Sequence, residues 1–178
     1  MFSDPKGLKS RDSICEVRLL SSVSDEHKFT MINQSQPDLT EHPPRSIRVR
    51  LGGYAHLSRL LDKARAVIAG KGGDYHYNCP LDELFFAFTG IDHEEMFAAV
   101  KSGKTDTQML AWVNEKAPRQ PHDVIAWSAW LEQHGPGAGD GHEWIAGVIK
   151  ENGPDRDDIR SFADALDLDD YVSYGGKM

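Results

Sequence analysis

The strongest constraint on this chain is its punctuation. From residue 54 onward, helix-start and helix-stop signals recur at short spacing, with an apolar stripe between them. In YAHLSRLLDKARAVIAG the residues Leu57, Leu60, Leu61, Ala64, Val67 and Ile68 follow the spacing of one helix face, and Gly70 supplies a stop. PLDELFFAFTG opens on Pro80, which suits a first helical position. It carries Leu81, Leu84, Phe85 and Phe88 as a stripe and closes on Gly90. Asp92 with Glu95, and Thr105 with Gln108, have the spacing of reciprocal caps. Gly103 and Pro118 are stops, and Pro121 opens the next helix, PHDVIAWSAWLEQHG. Asp140 with Glu143 starts HEWIAGVIKENG, and Asp155 with Asp158 starts RDDIRSFADALDL. No alternating run long enough for a strand and no repeat of fixed period interrupts this rhythm. The expected fold is all-α: one domain over residues 36–178, about seven short helices in an irregular bundle.

The N-terminal side reads differently. Residues 1–35 are polar and aperiodic, as expected of a disordered extension, and Met31 offers a second possible start. PDLTEHPPRS then runs as a proline-punctuated extended arm. Two cysteines, Cys15 and Cys79, are too few for a disulfide framework and fit a reducing compartment. The first thirty residues lack the apolar stretch of a signal peptide, and no window approaches the roughly 18 apolar residues of a membrane span. A cytoplasmic protein with no membrane partner is expected.

A formal charge of −8 argues against a nucleic-acid partner. The charge is unevenly placed, however. Arg45 to Lys71 holds seven basic residues against Asp62, whereas Glu151 to Asp170 holds eight acids against Arg156 and Arg160. Either these segments lie together and neutralise each other, or they are solvated faces, or the basic one binds an anion.

The residues able to do chemistry concentrate in GDYHYNCP, residues 73–80. With Pro80 at the first helical position, Cys79 becomes the N-cap, where the helix dipole favours a thiolate. His76 is then a candidate base and Asn78 a candidate polarising donor. His76 and Cys79 also have the spacing of half a zinc site, but the second half is missing, so neither a metal nor a cofactor is implied. In RVRLGGYAHLSR, Gly52 and Gly53 lie between Arg48, Arg50 and Arg59 and make a candidate anion site; the glycines equally serve a turn. Tyr75 and Tyr77 are candidate ligand contacts. Of the four tryptophans, Trp130 falls beside the Val124, Trp127 and Leu131 face of its helix, placed to line a groove or dock a neighbour. Near the C-terminus, Leu166, Leu168, Tyr171 and Val172 are expected to pack inward and leave the surrounding aspartates in water.

The segments PPRSIRVRLGGYAHLSRLLDKARA, YHYNCPLDELFFAFTGID, LAWV, IAWSAW and LDLDDYVSYGGK together resemble the domain-of-unknown-function 5069 family of small bacterial proteins, from about residue 38 to the C-terminus. That resemblance implies boundaries and no activity. The residues favour a small binding or regulatory module with an anion or small-molecule site. The alternatives are a cysteine-dependent enzyme using Cys79 with His76, and a helical adaptor that recruits a protein partner.

Overall fold

The structure is a computed structural model and describes residues 33–137 and 140–177. The 1–32 stretch, including Cys15 and Met31, therefore lies outside the described residues, as does the capping side chain of Asp140. Among the described residues the regular elements are seven α-helices and one isolated bridge, Leu51 with Tyr54. The helices are α1 (Leu57–Ile68), α2 (Pro80–Thr89), α3 (His93–Lys101), α4 (Asp106–Lys116), α5 (Pro121–Gln133), α6 (Asp140–Asn152) and α7 (Phe162–Ser173).

Helix α1 is the axis of the bundle. Residues 57–64 and 66 are buried, so it is covered on nearly all sides although its sequence reads as amphipathic. Leu57, Leu60, Leu61 and Ala64 enter the main core with Tyr54, Phe85, Met96, Met109 and Val113. The expected stripe fails at its end: Val67 and Ile68 are 40% and 38% exposed, each bordering an open groove. The opposite face buries Arg59, Asp62 and Lys63.

The arm, residues 33–56, is fastened at intervals. Leu39 and Ile47 are buried anchors, and the Ile47 carbonyl accepts from His56 N at 2.9 Å. At the Leu51–Tyr54 turn, Gly52 (φ +60°) and Gly53 (φ +91°) adopt left-handed backbone that glycine takes without a Cβ clash. A Cβ on Gly52 would stand 2.3 Å from Leu110 Cδ1. Ser128 of α5 locks the turn, donating to the Gly53 carbonyl and accepting from Ala55 N, each at 2.9 Å.

Most start signals hold. Asp92 accepts from Glu94 N and Glu95 N, and Thr105 and Gln108 form a full capping box. The last helix is the exception: Asp155 and Asp158 do not start it. Residues 153–161 are non-helical, and α7 begins with a box between Ser161 and Asp164. Helices α6 and α7 pack as a pair around Ile145, Val148, Ile159, Ala165 and Leu168. A third apolar cluster, with Ile47, Ala55, Leu131 and Ala163, joins the arm, α5 and α7.

Candidate functional site

Every basic residue from Arg45 to Lys71 faces a carboxylate. Arg45 forks onto Asp62 (2.7 and 2.8 Å) and reaches Asp106 (2.6 Å), which Arg65 also contacts at 2.6 Å. Arg48 pairs with Asp164 and Asp167, Arg50 with Glu132 (2.7 and 2.9 Å), and Lys71 with Asp38 (2.7 Å). The uneven charge is thus answered internally. Arg48, Arg50, Gly52, Gly53 and Arg59 do not converge on one anion: Arg48 and Arg50 work on outer surfaces, the glycines make a turn, and Arg59 points to the interior pair described next.

Two of the pairs are buried. Arg59 binds Asp170 of α7 through two hydrogen bonds, 2.6 and 3.2 Å, and Tyr75 donates to the same carboxylate at 2.7 Å. Asp170 is only 6% exposed, so the C-terminal acids are not all in water as expected. Tyr171, expected inside, is 53% exposed instead, since one residue on from the buried Asp170 turns it about 100° around α7.

The second buried group centres on Asp82, in the first turn of α2. Its carboxylate takes Lys63 Nζ at 2.8 Å, His56 Nε2 at 2.7 Å and the backbone N–H of Cys79 at 3.2 Å. Burial alone would raise this carboxyl; the His56 hydrogen bond and the Lys63 charge overcome it and hold it at about 2. Burial also pushes the His56 imidazole below its ordinary value, against the pull of Asp82. With Asp82 ionised and His56 neutral, Nε2 carries the proton toward Asp82 and Nδ1 keeps a free lone pair. Nδ1 is buried and has no hydrogen-bond partner.

Lys63 carries three N–H donors, and all three are used. They go to Asp82, to the His76 carbonyl (3.0 Å) and to Cys79 Sγ (3.1 Å). Cys79 is the N-cap of α2, as its place before Pro80 predicts, and is partly buried. The group on its sulfur is Lys63; His76 is tied into the site by its backbone. Asn78 contributes backbone geometry: at φ +62° it turns the chain into α2. Asn78 and His56 (φ +67°) are the two non-glycine residues in left-handed backbone among the described residues, and they flank this cluster.

These groups form one wall of a cavity of about 440 Å³. His56, Arg59, Lys63, Tyr75, His76 and Cys79 supply its polar side; Pro80, Leu81, Trp144, Phe162 and Leu166 supply an apolar side. Two expected contacts lie elsewhere. Tyr77 donates to the His93 carbonyl at 2.8 Å and packs on Phe97, beside a separate groove along α3. Trp130, 46% exposed, packs against His134 with ring centroids 4.5 Å apart and planes tilted by 36°. Trp144 is the tryptophan that reaches the cavity. His56, Lys63, Asp82, Asp170 and Phe162 escaped the sequence reading. Only Asp170 had a visible signal, the matching of the basic segment to later acids.

A family model described as Domain of unknown function (DUF5069) matches residues 41–172. The chain belongs to this family. No curated protein matches it. The DUF5069 match spans the arm from Glu41 and all of α1 to α6, and it ends at Val172 within α7, so both walls of the cavity fall inside it. Among the described residues of this DUF5069 protein, no helix is long and apolar enough to cross a membrane, and no three His, Cys, Asp or Glu residues are grouped to hold a metal ion.

Proposed function

We propose that this protein is a binding module for a small molecule seated between the Cys79–Lys63–His56 wall and the Trp144–Phe162–Leu166 wall. The observation that carries the reading is the buried His56 Nδ1, an acceptor with no protein partner, in a residue that lines the cavity. A buried polar atom without a partner costs about 1–3 kcal/mol. Two non-glycine residues in left-handed backbone and two buried ion pairs stand beside the same cavity, and such features cluster where a site is held ready for a ligand. Arg59 and Lys63 are already neutralised by Asp170 and Asp82, which disfavours a strongly anionic ligand. A ligand with an N–H or O–H for His56 and an apolar or aromatic part for Trp144 and Phe162 fits both walls.

A thermal-shift screen of neutral and weakly polar metabolites tests this. Some should raise the melting temperature, and Leu166→Trp, which fills the cavity from its apolar side, should abolish the rise. Rises that survive Leu166→Trp, or none at all, would set the reading aside.

A second reading, an enzyme that uses Cys79, is favoured by the Lys63 contact at 3.1 Å and the N-cap position. It predicts that an electrophilic ligand analogue labels Cys79 faster in the folded chain than in urea. Labelling only after unfolding would end it.

A further inference from the structure

We propose that Lys63 and Cys79 form an oxidation-closed covalent pair, in which a hydroperoxide oxidises the sulfur and the Lys63 amine captures it as a sulfenamide. This modification would tie the middle of α1 to the N-terminus of α2. It stands apart from the small-molecule reading, and failure of either leaves the other intact.

Three observations carry it. Lys63 Nζ lies 3.1 Å from Cys79 Sγ, so the capturing nitrogen is already in contact with the atom to be captured. Cys79 is partly exposed on the cavity wall, which gives a small oxidant access without unfolding. Lys63 is also held by Asp82 (2.8 Å) and the His76 carbonyl (3.0 Å), which keep its nitrogen against the sulfur.

The chemistry balances. Once the thiol proton has left, sulfur and nitrogen hold three exchangeable protons between them. The Cys79 sulfur attacks one peroxide oxygen; an S–O bond forms, the O–O bond breaks, and the departing oxygen leaves as water with a proton from the pair. This gives a sulfenic acid, the first step of the cysteine oxidation series. The Lys63 nitrogen then attacks sulfur; the S–O bond breaks, an S–N bond forms, and the oxygen leaves as a second water. Sulfur is oxidised by two electrons, the peroxide is reduced by two, and one N–H remains on the bridge. A thiol reductant reverses the closure by attack on sulfur.

The test uses the full-length chain carrying Cys15→Ser, treated with hydrogen peroxide and digested with trypsin. The intact mass should fall by two hydrogen atoms, cleavage after Lys63 should be lost, and a peptide joining Lys63 to Cys79 should appear and vanish on reduction. Lys63→Arg keeps the positive charge but offers no capturing amine, so it should stop at a sulfenic acid that dimedone labels. Equal dimedone labelling with and without Lys63→Arg, onward oxidation to sulfinic acid, linkage to another lysine, or a bridge that retains an oxygen would each overturn the assignment. Should Lys63→Arg fail to fold, the native chain is compared with the urea-unfolded one. A linkage confined to the native chain supports the pair, and one formed equally in urea overturns it.

Discussion

Arg59 on α1 grips Asp170 on α7 with hydrogen bonds of 2.6 and 3.2 Å, both side chains buried and 111 residues apart. Tyr75 closes the arrangement: its hydroxyl shares the Asp170 carboxylate, and its ring lies 5.5 Å from the Arg59 guanidinium. Removing one charge leaves the other stranded, so Asp170→Ala should lose about 3–5 kcal/mol. The double replacement Arg59→Met with Asp170→Leu should lose far less than the two single changes summed. A urea double-mutant cycle measures the difference, and strict additivity would show that the pair is not coupled.

The Asp82 cluster controls stability on the acid side. A carboxyl lowered from 3.8 to about 2 on folding contributes stability above pH 4 or so and loses it as pH falls toward 2. Asp82 is fully buried, so the contribution is about 2 kcal/mol. His56 acts in a higher window. Its imidazole is lowered on folding from an ordinary 6.5, so the unfolded chain binds the proton first and stability declines as pH drops below that value. Urea midpoints across pH should fall in two stages, and Asp82→Asn should flatten the lower one. Equal slopes below about pH 4 in both proteins would contradict the assignment.

The fold was legible where local physics decides it. Prolines at first helical positions, glycines past last ones and the Thr105–Gln108 box locate helix ends because they satisfy backbone groups within a few residues. The Asp155–Asp158 pair misled because an acid three residues after another imitates a cap. The Ser161–Asp164 pair, a few residues on, supplies the hydroxyl and carboxylate that bond the first turn. The site was only half legible. Cys79 at an N-cap follows from one proline, whereas Lys63, His56 and Asp170 read as ordinary surface charges on an amphipathic pattern. What buries them is the arrival of α2 and α7, which local periodicity does not encode.

Asn78 tests the cost of the loop that presents Cys79. Its φ of +62° is tolerated by asparagine and free for glycine, so Asn78→Gly should be neutral or slightly stabilising. Asn78→Val should cost about 1–2 kcal/mol, because a branched Cβ collides with its own carbonyl in this region. Melting temperatures of the two variants give the comparison. An Asn78→Gly variant less stable than Asn78→Val would mean that the side chain, and not the backbone, fixes the loop.

Ser161 separates the true start of α7 from its imitation. Its hydroxyl accepts from Asp164 N at 3.1 Å, while the Asp164 carboxylate accepts from Ser161 N at 2.9 Å and from Arg160 N at 3.1 Å. Ser161 is 3% exposed, so water cannot replace the lost bond. Ser161→Ala should therefore cost about 1–2 kcal/mol, at the upper end for a cap. Asp155→Ala should change stability by less than about 0.5 kcal/mol, as surface substitutions away from caps do. Because α7 carries Asp170, the Ser161 change should also loosen the cavity wall, seen as faster amide exchange through Leu166 and Leu168 with α3 unaffected. Equal effects from the two substitutions would return the helix start to residue 155.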